Sequence, residues 1–78
     1  MKTAKEMLEE LGYEKFGETT KHIVYRNKEH NYYVTFELIH KSFLVHKPYT
    51  TFNLITLKEL QAINKQVEEL GWLEELDK

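Results

Sequence analysis

The sequence contains no cysteine, one proline and three glycines, and it has no long apolar run. Without cysteine, 78 residues can form neither a disulfide framework nor a thiolate metal site, so the fold must depend on packing or on a partner subunit. No apolar stretch approaches the ~20 residues of a membrane helix, and the charged start MKTAKEMLEELGY does not have the apolar core of a signal peptide. We therefore expect a cytoplasmic protein that does not enter a membrane.

Residues for several common chemistries are also scarce. Ser42 is the only serine and Asp77 the only aspartate, so the sequence offers almost no residues for a Ser-His-Asp catalytic triad. The three scattered glycines form neither a phosphate-binding loop nor a dinucleotide fingerprint. Adjacent glutamates at 9 and 10, 68 and 69, and 74 and 75 are typical of solvated helix faces. The sequence predicts a non-enzymatic protein with no cofactor and no small-molecule substrate.

All four histidines fall between residues 22 and 46, which raises the question of a metal site. His22 and His46 are predicted to lie on one face of a sheet but diagonally offset, while His30 and His40 fall in turns at opposite ends. We expect surface histidines and no metal site.

What the sequence does contain is typical of one folded domain, residues 1–78. The chain is too short for two cores, and its ten aromatic residues supply large units of buried area. The net charge of -2 is unevenly distributed: residues 21–47 hold five Lys or Arg against two Glu, whereas both ends are acidic. The basic middle segment is a candidate binding region.

The pentapeptides EELGY and EELGW, at residues 9–13 and 68–72, are predicted to be helix stops. Glycine commonly ends a helix in the left-handed conformation, with an apolar residue after it. Capping boxes of Thr with Glu three residues later are predicted to start both helices, at Thr3 and at Thr56. In the second helix, apolar residues recur every three or four positions and are expected to face the core: Leu57, Leu60, Ile63, Val67 and Leu70.

Between the helices the apolar period changes to two, which predicts the strands KHIVYRN, YYVTFELI and SFLVHK. A loop at 28–31 would pair Tyr25 with Val34, and a two-residue loop at 40–41 would pair Phe36 with Val45. A further short strand around residues 15–18 is weakened by Gly17. The residues predicted to face the interior are Ile23, Tyr25, Tyr32, Val34, Phe36, Leu38, Phe43 and Val45.

The predicted fold class is α+β with the order α-β-β-β-α, in which two helices pack on one face of a three-stranded antiparallel sheet. The other sheet face should be open to solvent. It would carry His22, Val24, Arg26, Tyr33, Thr35, Glu37, Ile39, Ser42, Leu44 and His46.

We expect this open face, or an edge strand such as KHIVYRN or SFLVHK, to bind another protein or a second copy of the chain. The predicted partner-binding residues are Val24, Arg26, Tyr33, Ile39, Leu44 and His46. The alternative is nucleic-acid binding by the basic, aromatic-bearing middle segment. That alternative would use Lys21, Arg26, Lys28, Tyr33, Lys41 and Lys47.

Two resemblances bear on these alternatives. The element order is similar to that of the double-stranded RNA-binding domain, which uses a lysine cluster at the start of its second helix. The matching segment here, ITLKEL, offers only Lys58, and the first helix is acidic. The last helix, ITLKELQAINKQVEELGW, with the aromatic-rich strands before it, resembles small uncharacterised proteins of phages and prophages of Gram-positive bacteria. That resemblance implies an accessory protein that contacts another macromolecule in the host cytoplasm, with no site residues to transfer.

Overall fold

The computed structural model of the chain describes residues 2–48 and 54–76. One short helix precedes the strands, and two helices follow them. The four strands form one antiparallel sheet in the order β1-β2-β3-β4, so each strand pairs with its neighbour in the sequence. The elements are α1 (Ala4–Glu10), β1 (Tyr13–Glu18), β2 (His22–Asn27), β3 (Tyr32–Glu37), β4 (Ser42–His46), α2 (Leu57–Glu69) and α3 (Trp72–Leu76).

The α+β class is confirmed, but the prediction of three strands is wrong. The segment after α1 forms the full strand β1, which pairs with β2 along its length. Gly17 does not prevent this strand, because the register shifts between Lys15 and Gly17 in a β-bulge. The short helix α3 is also additional to the predicted order.

Both predicted helix starts and both glycine stops are confirmed. The side chains of Thr3 and Thr56 each accept a hydrogen bond from the backbone N–H of the glutamate three residues later, at 3.2 and 3.1 Å. Gly12 and Gly71 have φ angles of +93° and +77°, in the left-handed region that glycine occupies without steric cost. The repeated pentapeptide therefore ends a helix at both places, which is a structural role.

The predicted register is confirmed for the first hairpin and wrong for the second. Tyr25 pairs with Val34 as expected. Phe36 pairs with Phe43, not with Val45, because the turn between β3 and β4 takes four residues, 38–41, and Lys41 adopts a φ of +54°. A shift of two residues keeps every side chain on its predicted face, since strand side chains alternate with a period of two.

The core lies between the helices and one face of the sheet. Of the eight residues predicted to face the interior, five are buried, and Tyr32 and Leu38 pack against the core at its margin. Phe43 remains 43% exposed because β4 is an edge strand. The buried cluster contains Leu8, Tyr13, Ile23, Tyr25, Val34, Phe36, Val45, Ala62, Ile63 and Trp72.

The predicted apolar face of α2 is confirmed for Ile63, which is buried, and for Val67 and Leu70, which pack against the core, but it is wrong at the start of the helix. Leu57 and Leu60 are 79% and 41% exposed, although their spacing placed them on the apolar side. The buried positions around Ile63 include the polar residues Glu59 and Gln66. The Glu59 carboxylate accepts a hydrogen bond from the Tyr13 hydroxyl, and the Gln66 side-chain oxygen accepts one from the Tyr25 hydroxyl. We attribute the burial of these two polar residues on α2 to these bonds.

The helices α1 and α2 lie side by side on the sheet. The backbone N–H of Ala4 donates a hydrogen bond of 2.8 Å to the Glu69 carboxylate, which joins the start of α1 to the end of α2. Of the helices described, none has the length and apolarity that crossing a membrane requires.

Candidate functional site: the open sheet face

One row of side chains crosses the open face and takes one residue from each strand. Arg26 pairs with Tyr33, and Tyr33 pairs with His46. Phe16 completes the row, because its ring lies 6.1 Å from that of Tyr33 at an interplanar angle of 82°. We call these four residues, Phe16, Arg26, Tyr33 and His46, the aromatic row.

Arg26 is held in the middle of the aromatic row. Its guanidinium carbon lies 5.4 Å from the ring centre of Phe16 and 5.7 Å from that of Tyr33, within the range of cation–π attraction. One terminal nitrogen, Nη2, donates a hydrogen bond of 3.2 Å to Asn31 Oδ1. The Nε–H group is buried and has no hydrogen-bond partner among the residues that the structure describes. The guanidinium is thus fixed in position while part of its donor capacity is unused.

The bulge in β1 places Phe16 beside Arg26. Lys15 pairs with Tyr25 and Gly17 with Val24, so Phe16 is the extra residue at the bulge. Sequence reasoning missed Phe16 because the short strand around residues 15–18 was left open and was not counted in the predicted sheet. The aromatic residue beside a glycine in a strand was the available signal, since such a glycine often marks a bulge.

Next to the aromatic row lies an aliphatic row of Gly17, Val24, Thr35 and Leu44. Leu44 is 64% exposed, and Val24 and Thr35 are half-buried. Five of the six predicted partner-binding residues therefore share the open face. The sixth, Ile39, lies in the turn after β3, where it is also exposed.

The far row is polar and consists of His22, Glu37 and Ser42. Glu37 accepts hydrogen bonds from the backbone N–H groups of Ile39 and His40, at 3.1 and 2.6 Å. Burial alone would raise the pKa of the Glu37 carboxyl, but these N–H groups and the His40 ring lower it overall. Glu37 is thereby committed to shaping the turn that carries Ile39.

The residues predicted for nucleic-acid binding do not gather into one patch. Lys21 and Lys28 flank β2 and stand roughly 20 Å apart along the strand. Lys28 also forms an ion pair of 3.0 Å with Glu14. Lys41 lies in the turn between β3 and β4, beyond the end of the sheet where Lys21 is found. The predicted cations are therefore divided between the two ends of the sheet.

Lys47 does not belong to the exposed basic surface expected of it. Its side chain is buried, its Nζ lies 2.7 Å from a carboxylate oxygen of Glu59, and the same ammonium lies 4.9 Å from the ring centre of Tyr32. Glu59 also accepts hydrogen bonds from the Tyr13 hydroxyl and the Thr56 N–H, at 2.7 and 2.8 Å. This network faces the helices and fastens α2 to the end of β4.

The network shifts the pKa values of two of its members. Burial alone would raise the pKa of Glu59, but the hydrogen bonds from Lys47, Thr56 and Tyr13 together lower it below its ordinary value. Burial and the neighbouring Glu59 carboxylate both raise the pKa of the Tyr13 hydroxyl. We therefore assign a structural role to this network, in which a carboxylate, an ammonium and a neutral phenol satisfy one another.

Recesses on the helix side include two that are lined by described residues. One of about 290 Å³ adjoins the Glu59 network. The other, of about 940 Å³, is an open groove between α1 and α2 with Met7, Leu11 and Leu73 among its lining residues and side chains of both charges around them. Among the side chains described, those of residues 2–48 and 54–74, no three His, Asp or Glu side chains come close enough together to hold a metal ion.

Comparison with known proteins gave no match: no family model fits the sequence, and no curated protein and no solved structure is significantly similar to it. The resemblances drawn from the sequence therefore stay predictions.

Proposed function

We propose that this chain is a small non-catalytic module that binds another protein through the open face of its sheet. The observation that carries the proposal is the aromatic row, with Arg26 fixed between Phe16 and Tyr33. Beside it, Leu44 of the aliphatic row is 64% exposed and Phe16 itself is 59% exposed. The setting that we propose, from the resemblance to phage and prophage proteins, is the host cytoplasm.

The side chains of this face are those that contribute most to protein interfaces. Tyr and Arg are enriched among the residues that dominate binding energy, usually surrounded by contacts that exclude water. Arg26 is already ordered by two rings and by Asn31, so binding costs little additional side-chain entropy there. The aliphatic row supplies apolar area beside it.

The charge of the face indicates the chemistry of the partner. Arg26 is the one permanently charged cation among the strand residues described on this face. Glu14 forms an ion pair with Lys28, and the Glu37 carboxylate accepts a hydrogen bond from the backbone N–H of Ile39 in the turn after β3. A partner that places an apolar side chain over Leu44 and a carboxylate at the guanidinium edge of Arg26 fits this distribution.

Nucleic-acid binding is the weaker alternative. Rings stacked with an arginine are also found in single-strand binding surfaces. Phosphate binding, however, needs several cations that are near one another and uncompensated. The separation of Lys21 from Lys28 and the burial of Lys47 therefore favour a protein partner.

The test uses the wild-type chain and three variants as baits in lysate of the source cell. Tyr33→Glu and Leu44→Glu alter the open face, and Leu57→Glu adds the same charge on the exposed side of α2. We expect a specific protein that wild type and Leu57→Glu retain and that both open-face variants lose. Calorimetric titration with that protein, once purified, should reproduce the difference.

A protein that binds all four baits equally would remove the open face from the proposal. Single-stranded and duplex oligonucleotides, added to the wild-type chain in an anisotropy titration, test the alternative. Binding that weakens steeply with added salt would favour nucleic acid instead of protein.

A further inference from the structure

The two edges of the sheet differ in how they are protected against pairing with another strand. The β1 edge contains a bulge and the charged side chains Glu14, Lys15 and Glu18, all of which discourage edge-to-edge association. The β4 edge, Ser42–His46, has no Lys, Arg, Asp or Glu, no proline, no glycine and no bulge. By these criteria β4 is the open edge.

The hydrogen-bond pattern shows which backbone groups of β4 turn outward. The N–H of Leu38 donates to the carbonyl of Lys21 at 2.8 Å, in register with the β2–β3 ladder. Because successive residues of a strand bond to opposite neighbours, Thr35 must bond toward β4 and pairs there with Leu44. The flanking residues Phe43 and Val45 therefore turn their N–H and C=O groups to the outer edge.

The side chains of β4 expose apolar area on both faces of the sheet. Phe43, on the helix side, is 43% exposed, and Leu44, on the open side, is 64% exposed. A strand added at this edge would contact both residues from the side, whereas a partner on the open face alone would reach only Leu44.

We propose that the added strand is β4 of a second copy, paired antiparallel about a twofold axis at Leu44. In this register Phe43 of one copy lies opposite Val45 of the other, and the two exchange both of their outward hydrogen bonds. Leu44 lies opposite its own equivalent in a non-hydrogen-bonded pair, where side chains are closest. Ser42 lies opposite His46, so no pair within the strand juxtaposes two permanent charges.

The strand is thus complementary to itself, which is the requirement of a twofold interface. The dimer would contain an eight-stranded antiparallel sheet. Because the axis is perpendicular to the sheet, both open faces lie on the same side and form one surface. This inference goes beyond the proposed partner binding and does not depend on it.

The first test is the solution mass, measured by light scattering after size exclusion over a concentration series. We expect twice the monomer mass of 9.4 kDa. Phe43→Pro removes an outward N–H but no bond to β3, and proline is tolerated at such edge positions. Phe43→Val keeps the N–H and serves as the matched control. The proline variant should be a folded monomer and the valine variant a dimer.

Tyr33→Glu separates this inference from the proposed function, since it alters the aromatic row and leaves the β4 edge intact. It should remain a dimer even if partner binding is lost. Conversely, Phe43→Pro should still bind the partner of the open face as a monomer.

Amide exchange and isotope-filtered NMR of the wild-type chain test the register directly, and they decide the matter if Phe43→Pro does not fold. The amides of Phe43 and Val45 should exchange more slowly as concentration rises, and labelled Leu44 should contact unlabelled Leu44. A monomer at every concentration overturns the inference. So does a dimer in which these two amides are not protected.

Discussion

The ammonium nitrogen of Lys47 lies 2.7 Å from a carboxylate oxygen of Glu59, and both side chains are only 8% exposed. Glu59 also belongs to the capping box at the start of α2, since its carboxylate accepts a hydrogen bond from the backbone N–H of the N-cap residue, Thr56. One carboxylate therefore defines the start of a helix and fixes how that helix meets the sheet.

Removing the charge of Glu59 should destabilise the fold. Glu59→Gln removes the carboxylate charge that lies 2.7 Å from the buried ammonium of Lys47, and breaking a buried pair in this way costs about 3 kcal/mol or more. The measurement is the free energy of unfolding from urea titration, followed by Trp72 fluorescence. The double variant Lys47→Met with Glu59→Gln removes both charges and should recover part of the loss. An equal loss in both would show that the capping contacts, not the ion pair, carry the effect.

Acid should weaken the fold through the same carboxylate. The pKa of Glu59 is lower in the folded protein than in the unfolded chain, so its contribution is complete above the ordinary glutamate pKa of ~4.3 and is lost as the pH falls through the folded value. The difference in unfolding free energy between wild type and Glu59→Gln should therefore narrow below that pH. A difference that stays constant down to pH ~2 would contradict this assignment.

Alkali should act through Tyr13, whose pKa is raised by burial and by the Glu59 carboxylate. A raised folded pKa contributes stability that is present below the unfolded value of ~10 and is lost as the pH rises further. We expect the wild-type chain to lose stability above that pH, and Tyr13→Phe to lose less. The difference between the phenolate absorbance titrations of wild type and Tyr13→Phe should show Tyr13 ionising only when the chain unfolds.

The two helix-stop glycines should differ in their tolerance of alanine. Both have positive φ angles, which cost a residue with a Cβ roughly 1 kcal/mol or more. At Gly12 the added Cβ would also come within 3.0 Å of the Asn27 side-chain nitrogen, whereas at Gly71 it would meet nothing within 4 Å. Gly12→Ala should therefore lower the thermal midpoint more than Gly71→Ala, and equal shifts would be evidence against this contact.

The orientation of α2 can be tested with two substitutions on the same helix. Ile63→Ala removes buried side-chain volume and should cost about 3 kcal/mol. Leu57→Gln alters a side chain that is mostly in solvent, with a similar helix propensity, and should stay within ~0.5 kcal/mol of wild type. A large loss from Leu57→Gln would indicate that the spacing, not the described orientation, identifies the packed face.

The sequence predicted those parts of the fold that depend on local rules. Residues close together in the sequence determine the capping boxes, the glycine stops and the alternation of side chains in the strands. The pairing of Tyr25 with Val34 followed from the length of the loop between β2 and β3. The predicted turn after β3 was two residues too short, because no residue type in the sequence indicates that Lys41 adopts a positive φ. Side-chain faces were nevertheless right, since a two-residue shift preserves them.

The errors arose where distant residues decide the outcome. The apolar period of α2 placed Leu57 inside, but the buried positions include Glu59 and Gln66, which bond to tyrosines more than forty residues earlier in the chain. Lys47 was predicted to be a surface cation, but its ammonium lies beside the Glu59 carboxylate. For the candidate site, the residues of β2, β3 and β4 were predictable from alternation, whereas Phe16 was not, because its strand contains a bulge.

The bond between Ala4 and Glu69 places the start of α1 and the end of α2 together on the helix side, away from the aromatic row. A tag, a fluorophore or a fused domain attached through these helices would therefore project from the back of the sheet. Molecules tethered to a sensor chip by such an attachment would all present the open face to the solution. The chain is therefore suited to use as a display scaffold. The strand residues of the open face can be randomised, while the helix side that carries the attachment stays unchanged.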